Sequence, residues 1–439
     1  MLGKMLIADL DALAHAARNS KQRAEAAAAA KEVQDALSKG CTDDALLAAF
    51  LLHNLNTQRV ALSACAVKSP AKVPQIGMQL LHRLSGGGAL NAEAFSEVGK
   101  ALRACAEGSD ESVQLKAVQV VNDAMGHAAL ALDSSACMQM LEALLALNAA
   151  KSTMVASAAS AGMRLALGAL MDLAHEQVES KEHGMEGVMT AAEALSEVVQ
   201  LANVGKGERI ALKPFPGSTT LLTEVLGSLL HSHADLLLKY EILTSVLVDE
   251  VCPYLVTKLQ TALWTGGRRK EQLFPQCLRI CRVAAALLGE YGGAAGMGRS
   301  DVVPNQCNVI LLMSVMAEVT PPKAPDPKSR GKQAEEAPQP LWQRQLALEC
   351  LYTYCSQPGF AEELRQLFVV CLSGDSLKSP TANGEGLPVD DTDNLLASMV
   401  RAVETSIKVF SENPNQGDPL KITDSPTTLL LSGGGGGGG

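Results

Sequence analysis

Few residues in this chain could do chemistry, and their spacing argues against most of it. Gly205-Lys206 has the beginning of a phosphate loop, but Gly207 follows where Ser or Thr is needed. No glycine stands five residues before Gly205, so the Walker pattern fails twice. Gly292-Gly-Ala-Ala-Gly-Met-Gly298 lacks the G-x-G-x-x-G spacing and reads as a loop. His175-Glu176 opens like a zincin helix, yet Glu179 occupies the place of the second histidine. Cys277 and Cys281 lie one helical turn apart and could offer two thiolates to a metal. A closed zinc site needs two further ligands at matching spacing, and none is found, so both read as core thiols. His231 and His233 point in different directions on a helix and suit solvated or capping roles. No G-x-S-x-G elbow is present, and the acids are scattered along faces that look solvated. The expectation is a protein that is not an enzyme, with no cofactor and no metal.

Two surface candidates remain. Arg268, Arg269 and Lys270, in Gly266-Gly-Arg-Arg-Lys270, form an exposed basic loop. It is either solvated or a contact for a membrane or an acidic partner. Three charges contribute only about 1 kcal/mol each near a bilayer, so alone they anchor weakly. Asp43-Asp-Ala-Leu-Leu-Ala-Ala-Phe-Leu-Leu52 starts with acids suited to a helix N-terminus and continues apolar, as core or as an inter-subunit face.

Helices must position whatever this surface binds. The chain has 439 residues, 47% hydrophobic and 19% charged, which is ample for a core, while aromatics are only 3%. Alanine and leucine therefore do the packing, which favours close helix–helix contacts over a β-sandwich. Leu273, Cys277, Ile280, Cys281, Ala284, Leu287 and Leu288 fall on one stripe of a 3.6-residue helix. Leu243, Val246, Leu247, Val251, Tyr254, Leu255 and Leu259 repeat that pattern, with Pro253 inside it predicting a kink or a fresh helix start. Pro340 suits the first turn of a helix. No confident strand is found. The fold class expected is all-α, an armadillo/HEAT-like helical-repeat superhelix without a clean repeat consensus.

The formal net charge of −10 argues against nucleic acid, which needs a basic face. Eleven cysteines, an odd number set mostly in apolar helical runs, read as free thiols of a reducing compartment. The N-terminus meets Asp9 too early for a secretory signal. The most apolar window, Val155 to Ala174, is broken by Arg164 and Asp172. A soluble, intracellular protein with at most peripheral membrane contact is expected.

The main boundary is placed near residue 180. A first helical region covers 1–180 and a second 185–410. The second holds a disordered insert at about 320–340, where Thr320 to Pro340 contains six prolines, and a polar loop at about 372–393. Residues 411–439 form a disordered tail ending in the seven glycines Gly433 to Gly439.

Three segments carry a family resemblance. They are Val251-Cys-Pro-Tyr-Leu-Val-Thr-Lys-Leu259, Phe274-Pro-Gln-Cys-Leu-Arg-Ile-Cys-Arg-Val283, and Leu341-Trp-Gln-Arg with Leu346-Ala-Leu-Glu349 and Cys355-Ser-Gln-Pro358. In this order they resemble the N-terminal half of the Mon-two (monensin-sensitivity) proteins, relatives of the Sec-seven-type Arf exchange factors of the BIG group. Val73-Pro-Gln-Ile-Gly-Met-Gln-Leu-Leu-His-Arg-Leu84 and Val155-Ala-Ser-Ala-Ala-Ser-Ala-Gly-Met-Arg164 look like the dimerisation and cyclophilin-binding (DCB) region. Residues from about 190 to 410 look like the homology-upstream-of-Sec-seven (HUS) region. The resemblance implies a homo-oligomeric, non-enzymatic scaffold in Golgi and endosome traffic, peripheral on trans-Golgi or endosomal membranes. Implied partners are Arf-family small GTPases or trafficking scaffold proteins.

Departures are informative. The Asn-Tyr-Asp-Cys-Asp box of the exchange factors is absent, and Cys371-Leu-Ser-Gly-Asp375 stands near its place. This favours Mon-two over a BIG-type factor. The family's C-terminal half is missing, so a truncated gene model or a short paralogue is expected. Two alternatives stay open: the regulatory N-terminal fragment of a BIG-type exchange factor, and an unrelated armadillo-like adaptor.

Overall fold

Helix ends are set by local chemistry that the sequence encodes directly. In the computed structural model Asn91 and Asp133 accept hydrogen bonds from the backbone N–H groups of Ala94 and Ala136, and Asp110 accepts from Ser112 and Val113. Each satisfies donors that a helix start leaves orphaned. Gly88, at φ +68°, closes another helix: its N–H bonds to Ser85 O, and Ala89 N–H bonds to Leu84 O. That pair of bonds needs a left-handed residue, which glycine supplies without strain.

The structure describes residues 1–41, 43–66, 72–108, 110–126, 133–180, 184–204, 210, 218–264, 273–295, 309–310, 313 and 341–356. The helices in the first part of the chain are α1 (Leu2–Ala16), α2 (Ser20–Ser38), α3 (Asp44–His53), α4 (Asn56–Cys65), α5 (Lys72–Gly86), α6 (Ala92–Ala106), α7 (Glu111–Met125), α8 (Ser134–Asn148) and α9 (Thr153–Ser180). They continue as α10 (Glu186–Val204), α11 (Ser218–Ser232), α12 (Ala234–Lys239), α13 (Glu241–Val246), a π turn (Leu247–Val251), α14 (Cys252–Trp264) and α15 (Leu273–Ala295). No strand occurs among the described residues.

These helices build two layers. Helices α1, α5, α7, α9, α11 and α15 pack side by side in that order, and α2, α4, α6, α8, α10 and the α13–α14 rod form the second layer. Across the layers α1 lies on α2, α5 on α4, α7 on α6, α9 on α8 and α10, α11 on α10, and α15 on α14. Each helix is thus covered on two or three sides by its neighbours, the arrangement of a helical-repeat superhelix. The all-α repeat architecture read from the sequence is the one observed. Short α3 closes the first end against α1 and α2, burying Leu47, Ala48 and Leu51 while Leu46 stays exposed.

The chain divides into two compact units, Met1–Val309 and Ile310–Gly439. Helices α9 and α10, on either side of residue 180, pack together within the first unit. In the second unit, α16 (Leu341–Cys355) buries Ala347, Cys350, Leu351 and Tyr354 on one stripe and exposes Tyr352. The expected insert at 320–340, the loop at 372–393 and the tail at 411–439 lie outside the described residues.

Pro253 produces a π turn over Leu247–Val251, followed by α14 from Cys252. A proline ring collides with the carbonyl four residues back and offers it no donor; widening the preceding turn relieves both problems. The loop expected at Gly292–Gly298 is only partly correct, because α15 continues to Ala295. Two glycines disfavour helix by about 1 kcal/mol each. The preceding turns of α15, anchored by Leu287 and Leu288 and packed on α11 and α14, carry the helix through them.

Buried amides tie successive repeats together. Gln58 of α4, only 2% exposed, donates through Nε2 to Leu51 O in the last turn of α3 and to Ala89 O before α6. Gln114 of α7 donates likewise to Ala106 O and Gly108 O at the end of α6. Carbonyls at a helix end have no intrahelical donor, so these side chains supply one.

Candidate functional site

The groups capable of chemistry are engaged in packing. His175 Nδ1 lies 3.1 Å from the Tyr240 hydroxyl, and Glu179 pairs with Lys239, so α9 is clasped to the segment around α12. His233 contacts Asp172 at 3.2 Å through Nε2 and Ser232 Oγ at 2.9 Å through Nδ1. Among the described residues no group of three metal-ligating side chains converges. Burial pushes the Cys277 thiol up to about 12, and Cys137 and Cys252 likewise; Cys105 rises to about 11. A thiol held that far from ionisation is a poor nucleophile and a poor metal ligand. Tyr254, fully buried on α14, shares a 2.6 Å hydrogen bond with Thr223 of α11, which locks the two layers together.

What remains is surface. Helix α9, 28 residues long, is long and apolar enough to cross a membrane by length and composition. It packs against α7, α8, α10 and α11, the position of a core helix. One face stays uncovered. Met154 is 59% exposed and Leu165 64%, with Ala158 half-buried and Ala161 exposed between them. Spacings of i, i+4, i+7 and i+11 align these four in a stripe about 16 Å long. Arg164 borders it, 3.5 Å from Glu224 of α11, whose carboxylate also accepts from Gln276 of α15 at 2.6 Å. An apolar strip with a polar border on a rigid helix is the usual make-up of a protein–protein contact.

A second feature lies on the same layer nearer the start of the chain. Between α5 and α7 runs a groove of about 420 Å³. Gln75, Ile76 and Gln79 line it from α5, and Leu115, Lys116 and Gln119 from α7, with Asp9 of α1 at its edge. Asp9 is paired with Arg83, and His82 Nδ1 sits 2.7 Å from Asp123, so these contacts tie α1 and α7 to α5 around the groove.

The predicted contact residues Arg268, Arg269 and Lys270 lie outside the described residues. The segment 43–52 caps and forms most of α3; only Leu47, Ala48 and Leu51 of it are buried, while Asp43 to Leu46 and Ala49 are exposed. Neither the α9 stripe nor the groove was singled out in the sequence. Helix α9 is apolar nearly all round, so periodicity alone does not reveal which face is left open. Gln75 and Gln79 fall within Val73–Leu84, a segment named only for its family resemblance.

Residues 1–178, which span α1 through almost all of α9, match the family model described as Mon2/Sec7/BIG1-like, dimerisation and cyclophilin-binding domain. The α9 stripe lies within the matched residues. No curated protein matches the chain.

Proposed function

We propose that this protein is a non-enzymatic scaffold or regulator of Golgi–endosome vesicle transport. It self-associates through its DCB-type region and binds Arf-family small GTPases or trafficking scaffold proteins while peripheral on trans-Golgi or endosomal membranes. Residues 185–410 supply the HUS-like part, in the manner of the Mon-two proteins. The observation that carries this reading is the coincidence of the family match with the exposed Met154–Leu165 stripe on its last helix. Dimerisation is part of the matched description, and a rigid apolar strip supports it physically. The reading is tested with the full chain, Golgi-like liposomes and purified Arf-family GTPases in both nucleotide states. Recruitment of the chain to GTP-loaded GTPase, together with a self-associated state, is expected. Binding to neither GTPase nor liposome, with no self-association, rejects it.

A second reading rests on the Sec7 and BIG1 terms of the same description. Here the chain is the regulatory N-terminal part of a BIG-type Arf guanine-nucleotide exchange factor. Sequencing the full transcript decides it, because a downstream Sec-seven domain has to appear.

A further inference from the structure

The groove between α5 and α7 has a chemistry distinct from that of the apolar stripe. Its floor carries two half-buried apolar side chains, Ile76 and Leu115, and its walls carry primary amides. Neither the Gln75 nor the Gln79 carboxamide is engaged by another described residue. Gln119 accepts from Lys116 Nζ at 3.0 Å through its oxygen, a bond that does not use its NH₂ donors. A carboxamide offers a donor and an acceptor together, the same pair that one peptide unit presents.

Spacing then selects the ligand. Gln75 and Gln79 are one helical turn apart, about 6 Å along the axis. An extended chain repeats every two residues in about 6.6 Å. Two carboxamides so placed meet the backbone of alternate residues of a strand running along the helix, while alternate side chains drop toward Ile76 and Leu115. Charge sets the second requirement. Of the charged side chains lining the groove, Asp9 is already paired with Arg83, whereas Lys116 has only a glutamine oxygen. With Asp9 offset by Arg83, Lys116 is the lining charge that has no ionic partner among the described residues.

We propose that the α5–α7 groove binds an extended peptide segment of a partner protein in which apolar and acidic residues alternate. Gln75 and Gln79 read its backbone, Ile76 and Leu115 its apolar side chains, and Lys116 its carboxylates. This goes beyond the scaffold reading and does not depend on it.

The test uses the full chain and three fluorescein-labelled nonapeptides. The first alternates leucine with glutamate, the second leucine with lysine, and the third is the first with alternate backbone nitrogens methylated. The acidic peptide is expected to bind, and the other two at least about tenfold more weakly, from lost charge pairing and lost backbone donors. The double variant Gln75→Ala/Gln79→Ala is expected to weaken the acidic peptide about tenfold or more. Its far-UV spectrum and melting should not change, since alanine is the best helix former at solvated positions. Lys116→Glu is expected to reverse the preference toward the lysine peptide. Absence of binding, equal affinity for the methylated peptide, or unchanged affinity in the glutamine variant overturns the proposal. So does competition by a second copy of the chain, which assigns the groove to self-association.

Discussion

Replacing Gln58 with leucine tests whether buried amides hold successive repeats together. The side chain is 2% exposed and its Nε2 makes two hydrogen bonds, 3.1 Å to Leu51 O and 2.8 Å to Ala89 O. Leucine keeps most of the volume and is a good helix former, so the helix and its packing are retained. Both bonds vanish. A carbonyl left dry and unpaired is destabilising by about 1–3 kcal/mol. Leucine returns some apolar burial, worth about 1–2 kcal/mol. At the central values, about 4 kcal/mol for two carbonyls less about 1.5 for the leucine, the net loss is about 2.5 kcal/mol, concentrated where α3, α4 and the start of α6 meet. Urea unfolding followed by far-UV circular dichroism reads the size, and amide hydrogen exchange reads the place. Protection is expected to fall in α3 and at the α5–α6 turn and to stay unchanged in α14 and α15. An unfolding midpoint equal to that of the parent chain, or a loss of protection spread evenly along the stack, refutes the reasoning.

Three further outcomes are expected. Gly77→Ala should destabilise by roughly 1–3 kcal/mol although alanine is the better helix former. The added Cβ sits 2.9 Å from the Cys65 backbone nitrogen and 2.9 Å from Ala64 Cβ, where α4 and α5 touch; a melting temperature at or above the parent's contradicts this. In the native chain at neutral pH, Cys41 and Cys355 should alkylate ahead of Cys65, Cys105, Cys137, Cys252, Cys277, Cys281 and Cys350, as read by peptide mass spectrometry. The Glu179–Lys239 clasp should respond to pH at both ends. The hydrogen bond from Lys239 lowers the Glu179 value below 4.5, so its contribution is present above that value and lost as pH falls through the lowered one. The same bond raises Lys239 above 10.5, so its contribution is complete below that value and lost as pH rises through the raised one. Glu179→Gln should abolish the acid-side change in hydrogen exchange around α12.

Much of the architecture could be read from periodicity. The stripe from Leu243 to Leu259 is buried at all seven positions named, with Pro253 marking the π turn between its halves. In α15, Cys277, Ile280, Cys281, Ala284, Leu287 and Leu288 are all buried, as their spacing implies. Helix starts at Asp44 and Leu341 follow acids and a proline read in that role. Long-range pairing was not legible. Arg83 meets Asp9 across 74 residues, and nothing local to either side chain indicates the other. The docking surfaces were hidden for the opposite reason. From Thr153 to Met163 every position of α9 is apolar or small, so exposure there is decided by which neighbours happen to pack beside it. The glutamines of α5 became notable only once α7 closed a groove over them.

The central proposal is that the helical stack self-associates through the region matched over residues 1–178, and sedimentation equilibrium of the full chain tests it most directly. The parent chain should form a dimer or higher species in the micromolar range. Leu165→Asp, which places a charge at the most exposed large apolar residue of the stripe, should weaken association at least about tenfold while leaving the far-UV spectrum unchanged. A parent chain that is monomeric throughout this range, or a variant that associates as well as the parent, contradicts the account.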